Sequence, residues 1–305
     1  MNSVSLMIIG GSGFFGKSFL DAFRRGRLAP WRIGRVIVVA RHAGQLARTH
    51  PELTAAGVDL VDADVGVVER LPDADIIIHA ASSTDAQRYV DAAAQERAHI
   101  EASTENFCRL AATGHRSSRI VYTSSGAVYG QIDPSVERIA EDQDAGAVGD
   151  LVKYKQDYAA AKRAAEKRIA RLGSDGVAVA VARCFAFVGA YLPRDQHFAI
   201  GNFLRDGLAG RRIEVKARHA VYRSYMHADD LVDWLMHIAL AAESSCPIFN
   251  VGSDEAYTVG QVAQMVARRF NVEADIPSFT SDEVDRYIPS VARARQRLGV
   301  HLAYD

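Results

Sequence analysis

Charge of one sign is what this 305-residue chain most plainly lacks: 36 Lys and Arg face 37 Asp and Glu, a net charge of −1. Such a balance offers no basic face to a nucleic acid and no acidic tail to a partner. Cysteine is scarce: Cys108, Cys184 and Cys246 are far apart and odd in number, and no C-x-x-C occurs. That argues against a zinc site or a disulfide framework and suits free thiols in a reducing, cytoplasmic setting. Apolar runs are short. "VSLMIIGG" near the start is too short for a membrane span and has no basic region before it, so it is expected to be a strand rather than a signal peptide. Low-complexity segments and internal repeats are missing as well. His79 and His227 have no carboxylate-supported partner at metal-ligand spacing, so no metal is assigned; His79 is expected as a satisfied core residue and His227 as packing at a helix start.

What the chain does have is alternation. Short β-branched runs at Val4–Ile9, Arg35–Ala40, Asp59–Val61, Ile76–His79, Arg119–Ser124 and Ala178–Cys184 are separated by helical patterns at Lys17–Arg25, Asp85–Ala112 and Tyr154–Leu172. Nearly continuous apolar strands alternating with helices predict a doubly wound parallel sheet, Rossmann-like, with its ligand beyond the carboxyl ends of the strands. Past residue 185 the pattern loosens. A helix is expected over Asp230–Ala242, capped by Asp229, then a strand at Ile248–Val251 and a helix over Thr258–Phe270 with Thr258 as N-cap. The expected division is a dinucleotide-binding domain over 1–185 and a smaller substrate-binding portion over 186–305, with 228–252 packing back on the first.

"MIIGGSGFFGKSF" (7–19) holds two overlapping glycine fingerprints, G-x-G-x-x-G at Gly11, Gly13 and Gly16, and G-x-x-G-x-x-G at Gly10, Gly13 and Gly16. Either one, after a strand and opening a helix, lets backbone approach a pyrophosphate at a helix N-terminus; the bland alternative is a plain glycine turn. At the end of the second strand, where an acid would bind the ribose 2′-hydroxyl of NAD, stand Ala40, Arg41 and His42. A guanidinium there suits a 2′-phosphate and so NADP, with NAD as the alternative; a plain surface arginine would look the same. Tyr158 and Lys162, four apart, share a helix face. With 11 tyrosines and six lysines in the chain, theirs is the one match to Y-x-x-x-K. The ammonium, with a cationic nicotinamide, is expected to favour the phenolate and bring Tyr158 toward working range. Ser125, at a strand end, is placed to bind the same substrate oxygen.

Taken in order, "GGSGFFG", "DADV" at 62–65, "IIIHAAS" at 76–82, "TSSGAVYG" at 123–130, "YAAAK" at 158–162, "RSYMHADDL" at 223–231, "FNVGS" at 249–253 and "ARARQRLG" at 292–299 resemble the extended short-chain dehydrogenase/reductases, the NAD-dependent epimerase/dehydratase family. The resemblance implies that Gly10, Gly13 and Gly16 are the working triplet and Gly11 incidental. It implies Ser125, Tyr158 and Lys162 as the catalytic triad, Asp64 and Val65 beside the adenine, and Ala80, Ala81 and Ser82 along the path to the nicotinamide. Phe14, Phe15, Phe185 and Val188 complete the implied cofactor lining. Arg223 matches an arginine that grips a nucleoside-diphosphate sugar, Arg286 is a second candidate contact, and a homodimer through the helices at Asp85–Ala112 and Tyr154–Leu172 is implied.

Departures from the family pattern narrow the chemistry. The usual asparagine after the sixth strand, a sugar-nucleotide contact, is Ala186; a usual proline is Ala190; an aspartate before the last "LG" is Ser290; and Ile100 stands where a helical asparagine is expected. Gly126 and Ala127 replace the Asp-Glu pair of the dehydratases, which leaves elimination of water without its acid. The expected activity is therefore an NADP-dependent reductase of a keto-sugar nucleotide. The rivals are a nucleotide-sugar epimerase with retained NAD, a reductase of small carbonyls, and a non-catalytic sensor of NADP.

Overall fold

In the computed structural model the described residues are 3–82, 86–149, 151, 153–196 and 198–304, the side chains of 86–90 and 154 excepted. Asp85, the expected start of the long helix, lies outside them, as does the side chain of Tyr154. The first part of the chain forms β1 (Val4–Ile9), α1 (Phe14–Arg24), β2 (Ile33–Ala40), α2 (Leu46–Thr49), β3 (Val58–Asp62), β4 (Ile76–His79), α3 (Ala86–Gly114), β5 (Arg119–Ser125), α4 (Lys153–Ser174) and β6 (Ala178–Cys184). The remainder forms β7 (Phe187–Val188), α5 (Ala199–Leu208), β8 (Ile213–Glu214), β9 (Ala220–Arg223), β10 (Met226–His227), α6 (Ala228–Leu240), β11 (Ile248–Val251), β12 (Tyr257–Thr258), α7 (Val259–Phe270), β13 (Ala274–Asp275), β14 (Val284–Tyr287) and α8 (Ala292–Leu298).

Seven strands make one parallel sheet in the order β11-β6-β5-β4-β1-β2-β3. The order reverses beside β1, where an α/β sheet opens a crevice at its carboxyl edge. Core residues line both faces: Leu6, Ile8, Val36 and Val38 pack with Phe19 of α1 and Trp234 of α6 on one side, and Met7, Ile9, Ile37 and Ile77 pack with Phe107 of α3 and Ile169 of α4 on the other. That two-sided burial is why these strands read as unbroken apolar runs rather than alternating ones. β11, separated from β6 by 63 residues of sequence, completes the sheet edge by pairing Ile248–Val251 with Val181–Cys184.

Outside the sheet, α5 and α7 pack on each other around Ile200, Phe203, Ile213 and Val266. α7 opens with a capping box: the Thr258 hydroxyl accepts from the Gln261 amide, and the Gln261 side chain accepts from the Thr258 amide. α6 begins two residues earlier than the sequence suggests. Its cap is His227, whose Nδ1 accepts from the Asp229 amide at 3.1 Å, and not Asp229. The Asp229 carboxylate is drawn instead to Arg25 and Arg27 at the end of α1 and to the Tyr304 hydroxyl. A three-stranded sheet, β12-β9-β14, carries the far wall of the crevice.

Candidate active site

The glycine loop joins β1 to α1 and is shaped by close backbone approaches. Gly10 has φ +84°, and a Cβ there would stand 2.7 Å from the Ala80 backbone at the end of β4. Gly11, whatever its place in the fingerprint, has a packing reason to be glycine. A Cβ on it would meet Val38 Cγ1 at 2.8 Å, and a Cβ on Gly16 would run into the Gly11 carbonyl, so the loop is folded on itself and every one of its glycines but Gly13 is held by packing. Gly13 is the N-cap of α1, without a side-chain capping bond and without an acid in the first turn. The first amides of α1 are thus left without intrahelical acceptors at the end of a glycine-rich loop, which fits a pyrophosphate. Phe14 and Phe15 stand beside this loop with their rings against Phe187.

At the ribose end of such a ligand, β2 stops at Ala40 and Arg41 is exposed. A carboxylate is nearby: Asp62, opposite Ala40 in the β2–β3 register, accepts the Gly44 amide at 2.8 Å. Asp64 lies beyond β3 and turns back on its own loop, accepting from the Gly66 amide at 2.9 Å. Val65 is buried, and its carbonyl is held by the Asn106 side chain at 2.9 Å. Asn106, which also binds the Val68 carbonyl, is thus the helical asparagine that tethers this loop, six residues past Ile100; Ile100 itself is core.

The ends of β4, β5 and β6 and the first turns of α4 bring the reactive groups together. Ser125 closes β5, and its hydroxyl accepts from the Ala127 amide at 3.2 Å. Tyr158 bonds to Ser125 and to Ser82, and Ala80 and Ala81 continue from β4 to that serine. Lys162 is 2% exposed; its ammonium donates to the Thr123 carbonyl at 3.0 Å and to the Tyr122 hydroxyl at 3.3 Å, and lies 5.9 Å from the centre of the Tyr158 ring. Tyr158 is shifted up in the protein alone, whereas the expected shift down draws also on the charge of a nicotinamide. Burial pushes its phenol above the ordinary tyrosine range, and the bonds from Ser125 and Ser82 only partly offset this. Lys162 is pushed down to about 8, also by burial, against the pull of Glu166 and Cys184.

Two features here escape the motif reading. Behind the triad, Glu166 stands one helical turn past Lys162 and accepts from the Ser124 hydroxyl at 2.5 Å and from Arg183 at 2.8 and 3.1 Å. Its position in the i, i+4 row was the available signal. In front of the triad, Tyr287 of β14 also bonds to Ser125, and burial raises its phenol so that it stays neutral. Its hydroxyl lies where Gly126 has no side chain: a Cβ at 126 would approach it at 2.5 Å and Phe185 at 2.9 Å. The Phe185 and Tyr287 rings lie 4.7 Å apart. Ala186 offers its carbonyl to the Met226 amide, and Val188 pairs in the short β7–β10 ladder, which carries the chain from the sheet to the far wall.

The β9–β14 register sorts the two arginines. Arg286 pairs with Tyr222, and its guanidinium stacks on that ring at 4.3 Å; Tyr287 pairs with Arg223. Alternation therefore puts Arg223, Asp285 and Tyr287 on one face and Arg286 on the other, so Arg286 is not brought to the site. Arg223 is held two-pronged by Asp285, at 2.7 and 3.1 Å, and also donates to the Tyr222 carbonyl. The remaining expectation, a satisfied His79, fails: its ring is 1% exposed between Phe107 and Tyr122, and neither ring nitrogen has a hydrogen-bond partner among the described residues. Burial and Lys162 hold its pKa down to about 3.

Comparison with known proteins follows the same outline. The model of the NAD dependent epimerase/dehydratase family matches residues 6–252. UDP-glucuronic acid decarboxylase 1 of Danio rerio is 26% identical over 96% of this chain and 68% of its own length. UDP-glucuronic acid decarboxylase 5 of Arabidopsis thaliana is 26% identical over 60% of this chain, and the match spans about half, 52%, of that protein. Among solved structures, the dTDP-glucose 4,6-dehydratase DesIV of Streptomyces venezuelae, with NAD and TYD bound, superposes with a TM-score of 0.79 at 19% identity over 99% of this chain and 92% of that one. The UDP-glucose 4-epimerase of Thermotoga maritima, with UDP-glucose, gives 0.77 at 17% identity over 99% and 94%. At such identities the superpositions show the fold.

Proposed function

Since the chain belongs to the NAD dependent epimerase/dehydratase family, we propose that it is a nicotinamide-dependent oxidoreductase of a nucleoside-diphosphate sugar, reducing a keto carbon of the sugar. The observation that carries this reading is the convergence of Ser125, Tyr158 and Lys162 at one strand end, next to Gly126 and Ala127, which bring no acid for elimination. When bound, the dinucleotide supplies the hydride. The chain's own groups do the rest. Ser125 fixes the carbonyl oxygen, and the protonated Tyr158 gives it a proton. Lys162 sets a positive charge behind Tyr158 and, once the proton has left, steadies the phenolate. Tyr287, neutral, closes the pocket over Ser125. Arg223 lies on the same strand face and meets the ligand's phosphates. Gly10, Gly13 and Gly16 admit the pyrophosphate, and Arg41 the 2′-phosphate of NADP. Exposed Arg41, with no acid at the end of β2, favours NADP.

A second reading, an epimerase that keeps NAD, is favoured by Asp62, whose carboxylate lies in the same turn as Arg41 and would repel a 2′-phosphate. Titration of the protein with NADPH and NADH, with mass spectrometry of whatever dinucleotide it carries as purified, separates the two. We expect tighter binding of NADPH, reversed by Arg41→Asp, and oxidation of NADPH in the presence of keto-sugar nucleotides. Tightly held NAD, with no net consumption of reductant, gives the epimerase instead.

A further inference from the structure

Asp285 lies among basic side chains, one of which holds it directly. Arg223 grips it with two nitrogens, and Lys155 at the start of α4 and His219 just ahead of β9 add their fields to the same carboxylate. Burial alone would raise the pKa of Asp285; Arg223 first, then Lys155 and His219, outweigh that and hold it below the usual carboxylate range. One carboxylate thus sits at the focus of three groups that attract anions. The position faces the reaction. Asp285 and Tyr287 share a face of β14, two residues and so about 7 Å apart along the strand, and Tyr287 bonds to Ser125.

We propose that Asp285 is a specificity residue that occupies Arg223 in place of the ligand's anion, so that the cleft admits ligands with two phosphoryl groups and rejects those with one. This rests on the reading of Arg223 as a phosphate contact. An entering anion has to break both Arg223–Asp285 bonds, and that cost is the same for any ligand. What it gains grows with its charge and its number of acceptor oxygens. The displaced carboxylate remains on the same strand face and repels the newcomer, which a second phosphoryl group overcomes through Lys155 and His219. Removing the negative charge removes both obstacles and leaves a net surplus of cationic groups.

The test is nucleotide binding, measured by calorimetry and by melting-temperature shift with UDP and UMP, extended to dTDP, CDP and GDP, on the whole protein with its dinucleotide present. Asp285→Asn keeps the shape of the side chain. We expect it to bind the preferred diphosphate about tenfold tighter than the natural protein, to narrow the gap between UDP and UMP, and to lose that gain when combined with Arg223→Ala. Asp285→Ser serves if the first variant does not hold dinucleotide. Unchanged or weaker diphosphate binding by these variants, with the natural protein still binding, overturns the proposal and makes Asp285 a support for Arg223. Failure of every nucleotide to bind any variant overturns the phosphate reading of Arg223, and the proposal with it.

Discussion

At the triad, Lys162 is sealed from solvent at 2% exposure and is brought to about 8 by burial, with no carboxylate among the described residues bonded to its ammonium. On the far wall, the Arg223 side chain keeps 25% of its exposure, its partner Asp285 40%, and the two are locked together by paired charges. One end of the crevice thus sets its protonation by desolvation and the other by ion pairing. The first kind of control is hard to screen and costs stability; the second is cheap, responsive to salt and displaceable by a competing ion. Such a division suits a cleft in which the chemistry has to stay dry while the handle of the ligand comes and goes.

The sharpest way to break this contrast is Tyr158→Phe. The ring and its packing remain and the proton goes, so turnover should fall by about 10² or more, the usual scale for an acid–base group, while dinucleotide affinity stays within a few-fold. Near-normal turnover would take the proton transfer away from Tyr158. On the alkaline side, rates should decline above about pH 8 as Lys162 gives up its charge, and Lys162→Met should lack that limb.

A second, smaller effect tests burial as the controlling force. His79 is neutral in the fold, with its pKa down to about 3 from the ordinary histidine value of 6.5. Between those values the unfolded chain binds more protons than the folded one. Its contribution is therefore fully present above pH 6.5 and is lost as the pH falls. At pH 5 the loss amounts to about 2 kcal/mol. Urea unfolding at pH 7 and pH 5 should show it, and His79→Leu should flatten the difference by that amount. An equal acid sensitivity in the variant would mean that His79 finds a partner in the folded protein.

The two ends also differ in how far they could be read from sequence. Strand–helix alternation, the glycine loop and Y-x-x-x-K are local patterns, in which the spacing itself fixes the geometry, and the sheet, Ser125, Tyr158 and Lys162 were placed by them. Asp285 and Tyr287 lie on a four-residue strand more than 120 residues after Tyr158, inside a stretch broken by glycine and proline, and their partners are set by the β9–β14 register, which no local spacing encodes. The same register takes Arg286 off the site. The packing role of Gly11 is hidden for a similar reason: its need for a bare Cα comes from Val38, a residue of the next strand. The N-cap of α6 differs from the expected one because two arginines just past α1, Arg25 and Arg27, claim the Asp229 side chain that a helix start would otherwise use. Asp62 illustrates the same limit at the cofactor end, since its approach to the Arg41 turn depends on β2–β3 pairing.

Tyr287 joins the two ends, and its hydroxyl gives the smallest and most informative test. As a neutral phenol beside Ser125 it is placed to orient the serine rather than to exchange protons itself. A neutral hydrogen bond of this kind contributes about 0.5–1.5 kcal/mol, or roughly twofold to tenfold in rate. Tyr287→Phe should lower kcat by that factor, leave dinucleotide affinity alone, and leave the alkaline limb of the pH profile where it was. Because the effect runs through Ser125, it should vanish in a Ser125→Ala background, which a double-mutant cycle reads directly. The same loss in both backgrounds would mean that Tyr287 meets the substrate without the serine. Gly126→Ala adds the complementary strain: its Cβ crowds both the Tyr287 hydroxyl and Phe185, so it should cost more beside tyrosine than beside phenylalanine at 287. If the two costs are equal, Phe185 alone sets the need for glycine, and Tyr287 is free to move away from the site as the ligand enters.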